Sequence, residues 1–269
     1  MQFYLLRSFL HPSIKIETDD VNIAYVLSVL YGAYLKQSDF SEECDLVCRI
    51  EHYDEKYVFE CDNHNISTDN PIQVIENILF EQTRLRGDIF ALHAGAVSHN
   101  GKAYIFVAPT STGITTLTAY LSLSGFDYVT DDCVLIDMNS FKVYPYHKPI
   151  HLREGGMTVL KNYGFEPDMI YIDEKTIQRY VFTPMNLSSG ELDIGGIFFI
   201  ERTKDINKIS VVSSIEAIQL LMKSPITPYE MTGEYLKFIC SLTKRNCRRL
   251  QYGDMAFVKD YIMRSINEQ

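Results

Sequence analysis

The stretch that most limits how this chain can fold begins at Lys102. An apolar run over residues 102–107 passes directly into Ala108, Pro109, Thr110, Ser111, Thr112, Gly113 and Ile114, and residues 118–124 then form an amphipathic stretch closed by Gly125. The order is strand, small-residue loop, helix. Such a unit points several backbone N–H groups and the positive end of a helix dipole at one place, which is an anion-binding geometry. Just upstream, an apolar run over 91–97 is joined to 102–107 through Asn100-Gly101. Both residues tolerate the positive φ of a type I′ turn, so a hairpin is expected to feed the loop.

Aligned to the phosphate-loop pattern GxxxxGK[ST], the segment keeps Gly113 and the hydroxyl of Thr115, but has Ala108 at the first glycine and Ile114 at the lysine. Backbone N–H groups can hold phosphate without the lysine. The charge that the lysine adds cannot come from an aliphatic side chain, and loss of one such group costs on the order of a hundredfold in rate. Nucleotide binding is therefore expected ahead of efficient phosphoryl transfer, unless Lys102, Lys148 or Arg153 reaches the site.

Asp131 and Asp132 stand between the apolar runs 128–130 and 133–136. A charge there is costly unless it meets a cation, so the pair reads as a metal or general-base site, with a turn acid pair at a strand end as the alternative. His147 and His151 have the spacing of zinc ligands on a helix, but Pro145 and Pro149 argue against a helix there. Residues 154–157, with Gly155 and Gly156, read as a plain loop, and the basic run 244–249 as a solvated helix end or loop.

With 35 acidic against 25 basic side chains, the net charge of -10 excludes a general nucleic-acid surface. No apolar stretch is long enough for a membrane span, and the N-terminus lacks a signal pattern, so a soluble, cytoplasmic protein is expected. Six cysteines without a CxxC pair do not suggest zinc. The first 90 residues alternate short β-type runs with turns and then present a helix over 72–86, with Asn70 as its cap, Pro71 at its start and Gly87 at its end. Ser213 and Glu216 make a capping box. A last amphipathic helix over 254–266 either closes the domain or offers an interface for a homo-oligomer.

Taken together, residues 92–97, the hairpin, the loop 108–116, residues 125–132 and residues 143–153 resemble the HPr serine kinase family, whose catalytic domain shares its core with phosphoenolpyruvate carboxykinases. Weaker similarity continues through 192–201. The resemblance implies an α/β chain: a small N-terminal α+β portion over 1–88 and a carboxykinase-like phosphate-loop domain over 89–269. It implies ATP and Mg as cofactors and a serine of a protein or peptide as acceptor. By the same resemblance His93 hydrogen-bonds an acidic residue and helps deprotonate the serine. Asp131 is expected as the base and Asp132 near the metal with Thr115. Ala108, Ser111, Thr112, Gly113, Ile114, Thr115 and Thr116 would hold the nucleotide. Nothing in the loop matches the family's lysine, which favours as an alternative a pseudokinase that only binds a peptide or partner. A small-molecule kinase is a third reading, because the acceptor cannot be read from these residues.

Overall fold

The computed structural model describes residues 2–6, 13–32, 35–38, 43–53, 56–61, 64–68, 75, 88–174, 177–224, 226 and 232–267. It is a mixed α/β chain that divides into two compact units, Met1–Gly87 and Asp88–Gln269. The expected helix over 72–86 lies outside the described residues, apart from Ile75.

The first unit is a six-stranded sheet of β1 (Gln2–Leu6), β2 (Ile14–Thr18), β3 (Leu35–Ser38), β4 (Leu46–Tyr53), β5 (Lys56–Cys61) and β6 (His64–Thr68), in the order β3-β1-β2-β4-β5-β6. β2 and β4 are parallel and the other pairs antiparallel. Helix α1 (Val21–Tyr31) starts at Asp20, whose carboxylate accepts from the N–H groups of Asn22 and Ile23 at 2.7 and 3.1 Å. Along β4, Cys48 and Ile50 are buried and alternate with exposed residues, the period of a sheet with one covered face. Cys48 stands opposite Cys61 in the β4–β5 register, and the two are joined as a disulfide. The pairing arises from strand register, which spacing along the chain does not reveal.

The second unit is built on β7 (Ile89–His99), β8 (Lys102–Val107), β9 (Asp127–Thr130), β10 (Cys133–Asp137), β11 (Val143–Tyr144), β15 (Asp193–Arg202), β16 (Lys208–Val211) and β17 (Cys247–Tyr252). Their order is β11-β10-β7-β8-β15-β17-β16, with β9 also on β7. β8, β15 and β17 run parallel, and β7 and β8 are the expected hairpin, with Asn100 and Gly101 at φ 51° and 73°. Helices α2 (Ile114–Leu123), α3 (Glu154–Asn162) and α6 (Met255–Asn267) share a buried cluster with Phe106, Phe198 and Leu250. Helices α4 (Ser214–Leu221) and α5 (Gly233–Leu242) share another with Val107, Ile197 and Phe199. Consecutive residues of β8 and β15 thus enter different cores, which is why these strands read as unbroken apolar runs. A small separate sheet, β12 (Ile150–Leu152) with β14 (Ile177–Phe182) and β13 (Ile170–Glu174), follows the site segment.

Punctuation at the helix ends follows the sequence. Gly125 at φ 101° ends α2, and the Phe126 N–H returns to the Leu121 carbonyl at 3.2 Å. The Ser213 hydroxyl accepts from the Glu216 N–H at 3.2 Å, while the Glu216 carboxylate turns to Arg249. Two readings are corrected. Residues 154–157 are the first turn of α3, not a plain loop, because burying Met157 and Leu160 outweighs the helix penalty of two glycines. Gly156 is also needed for fit: a Cβ there would lie 3.0 Å from both Thr116 Oγ1 and Leu152 Cδ2. Residues 247–249 belong to β17, an inner strand, instead of a solvated helix end or loop.

Candidate functional site

The loop after β8 holds its shape by backbone conformation and local bonds. Ser111 at φ 69° and Gly113 at φ 102° turn the chain into α2, and Thr112 bonds the Pro109 carbonyl through its N–H at 3.3 Å and its hydroxyl at 2.6 Å. Among the described residues no acceptor engages the N–H groups of Gly113, Ile114, Thr115 and Thr116. These are the open donors that a helix start presents to an anion. Ala108 and Ile114 belong to the core, whereas the side chains of Thr115 and Thr116 are half-buried. Ile114 packs on β7: a Cβ on Gly95 would lie 2.6 Å from Ile114 Cγ2 and 2.3 Å from Thr118 Oγ1. The lysine position of the pattern is therefore a packing position.

The tight turn from β9 to β10 carries the two aspartates, and they differ sharply. Asp132 Oδ1 lies 3.2 Å from His93 Nε2 and Asp132 Oδ2 lies 3.0 Å from Lys148 Nζ. Asp131 is 4% exposed, with Oδ1 3.2 Å from the Tyr128 hydroxyl. The hydrogen-bonded partner of His93 is Asp132, while Asp131 acts on His93 only through its charge. His93 is itself fixed at the backbone, where its N–H donates to the Ser224 carbonyl at 2.7 Å.

These contacts set the charges. The hydrogen bond to Asp132 raises the pKa of His93, against partial burial and Lys148, which lower it. Burial works against the charge on Asp132, but His93 and the Lys148 ammonium outweigh it and hold the carboxyl well below the usual carboxylate range. His147 is different: burial pushes it down to about 4, and its Nε2 lies 3.3 Å from Ser188 Oγ.

At the carboxyl ends of β8 and β15 a cavity of about 670 Å³ is bordered by His93, Pro109, Thr110, Phe199, Lys223 and Arg249. This is where open α/β sheets place their ligands. Arg249 is neutralised by Glu216 and, at 3.8 Å, by Glu201, whereas Lys223 is exposed. Sequence reasoning missed these cavity residues. Strand parity within 247–252 was the available signal, but it was hidden by reading the basic run as surface.

Both oxygens of Asp132 face nitrogen bases, and among the described residues no group of three His, Cys, Asp or Glu side chains is placed to hold a metal. An ion ligated by Asp132 and Thr115 would have to displace Lys148, so these side chains do not fit a resident magnesium. No described helix is long and apolar enough to cross a membrane.

No family model matches the sequence, and no curated protein matches it. Among solved structures the chain is similar to the HPr(Ser) kinase/phosphatase from Coxiella burnetii, with a TM-score of 0.33 and 8% identity over 66% of this chain and 99% of that one.

Proposed function

We propose that this chain is a nucleotide-binding protein related to the HPr serine kinases, and that it uses ATP to phosphorylate a serine of a protein or peptide. The observation that carries the reading is the coupling of His93 to Asp132 beside a loop whose helix start keeps four N–H groups open. Those groups, from Gly113 to Thr116, would donate to the triphosphate oxygens, with the Thr115 hydroxyl beside them. ATP would supply the transferred phosphoryl group. Magnesium, which usually keeps several water and phosphate ligands, would travel with the nucleotide instead of being held by Asp132.

The proton of the acceptor serine needs a base. Asp132 is held well below the usual carboxylate range by His93 and Lys148 and so binds a proton weakly, whereas the hydrogen bond to Asp132 raises the proton affinity of the His93 imidazole. His93 Nε2–H would donate to Asp132, and Nδ1, which no described group engages, would take the serine proton. Asp132 then orients the ring and stabilises the imidazolium.

Burial of Ile114 favours a second reading, in which the fold binds nucleotide or peptide but has lost phosphoryl transfer. The experiment combines calorimetry with ATP and Mg and phosphorylation of serine peptides by wild type, His93→Ala, Asp132→Asn and Ile114→Lys. Wild-type activity that disappears in the first two variants supports the kinase. Activity confined to Ile114→Lys supports the pseudokinase, and absence of ATP binding rejects the kinase and any nucleotide-binding form of the second reading.

A further inference from the structure

Ile114 leaves the phosphate site without its usual cation, and the fold brings another lysine from a different element to Asp132, whose partner His93 borders the same cavity as Ala108, Pro109 and Thr110. Lys148 lies on the segment between β11 and β12, where Pro145 and Pro149 restrict the backbone. That segment is tied down at three points. The Tyr146 N–H donates to the Val129 carbonyl at 3.1 Å, the Lys148 N–H to the Tyr146 carbonyl at 2.8 Å, and the Tyr128 hydroxyl to the Lys148 carbonyl at 2.7 Å. A lysine on a plain surface loop has no such support. The side chain is only 18% exposed and ends 3.0 Å from Asp132, whose other oxygen meets His93.

We propose that Lys148 is the relocated phosphate-binding cation of this site, supplying from the segment before β12 the charge that Ile114 cannot supply from the loop. The inference rests on the kinase-related reading above and names the residue that makes it electrostatically workable. Asp132 holds the ammonium in place while no anion is present. An ammonium has three N–H donors, so Lys148 can keep one bond to Asp132 and turn another toward a phosphate oxygen.

The other cations named from the sequence are less well placed. Lys102 begins β8 and the loop follows its end, five residues later, so about 17 Å of strand separates them. Arg153 is exposed at the start of α3 and outside the His93–Asp132 cluster.

The test is calorimetric binding of ATP and of adenosine to the full chain as wild type, Lys148→Met, Lys148→Arg and Arg153→Met. The expected result is a loss of about tenfold to a hundredfold in ATP affinity for Lys148→Met. Adenosine binding stays unchanged, Lys148→Arg keeps part of the ATP affinity, and Arg153→Met has the smaller effect. An ATP affinity of Lys148→Met within about twofold of wild type overturns the inference and leaves the kinase-related reading standing. An equal loss for ATP and adenosine overturns it too, because it marks a structural role. If wild type binds no ATP, the reading and the inference fall together. A second measurement needs no variant: ATP, but not adenosine, should protect Lys148 from amine acylation read by mass spectrometry. Equal labelling in both overturns the inference.

Discussion

The loop 108–116 and the segment 143–153 treat charge in opposite ways. In the loop, left-handed Ser111 and Gly113 set up open N–H groups, yet the side chain at the lysine position, Ile114, is turned into the core. In the later segment the backbone groups of Tyr146 and Lys148 are satisfied internally, and the side chain of Lys148 is delivered to a carboxylate. A phosphate site needs oriented amides and positive charge, and the two need not come from one element. Amides are fixed by φ and by small residues; charge only has to arrive within a few ångströms in a place shielded from water.

The comparison breaks first if Ile114 is not really committed to packing. Gly95→Val puts branched carbon where Thr118 Oγ1 and Ile114 Cγ2 already crowd an added Cβ, at 2.3 and 2.6 Å. Overpacking of this kind costs about 3 kcal/mol, so the thermal midpoint should fall by several degrees. In an Ile114→Ala background the same change should cost clearly less, as a double-mutant cycle would show. Equal costs in the two backgrounds would mean that Ile114 does not fill this space.

A second, smaller effect tests the charged side of the comparison. The raised pKa of His93 means that its share of stability is complete below about pH 6.5 and is lost as pH rises through the folded value. The depressed pKa of Asp132 means that its share is present above about pH 4 and is lost as pH falls through its folded value. Asp132→Asn should therefore destabilise most between these limits and less at pH 9, where only Lys148 remains as its charged partner. Urea denaturation at pH 5.5 and pH 9 measures this, and the His93 ring should titrate lower in the variant by NMR. A penalty that does not vary with pH would remove His93 from the pair.

What could be read in advance divides along the same line. The hairpin, the loop and the Gly125 stop were legible because each depends on neighbours in sequence: positive φ at Asn100 and Gly101, small residues before α2, and a left-handed glycine after it. Choosing between Asp131 and Asp132 was not, since both occupy one turn and only β10's pairing with β7 brings Asp132 to His93. Residues 154–157 looked like a loop because two glycines outweigh local helix propensity. Contact with Thr116 and Leu152, which calls for a glycine, appears only after α2 and β12 are in place. Arg249 and the Cys48–Cys61 pair were hidden for the same reason, as partners set by register across strands.

The smallest effect lies one turn past Ile114. Thr118 is fully buried and its hydroxyl has no hydrogen-bond partner among the described residues, although it faces the same Gly95 surface as Ile114. A buried hydroxyl without a partner carries a desolvation cost, and replacing it with a methyl of similar shape removes that cost. Thr118→Val should accordingly raise stability by about 1 kcal/mol in urea denaturation, with ATP affinity unchanged. If stability rises while ATP affinity falls, the hydroxyl serves the nucleotide, and the division between a packed helix face and an open row of amides must be redrawn one turn further along α2. If stability falls, the hydroxyl finds a partner in solution and this face of the helix is less dry than its packing against Gly95 implies.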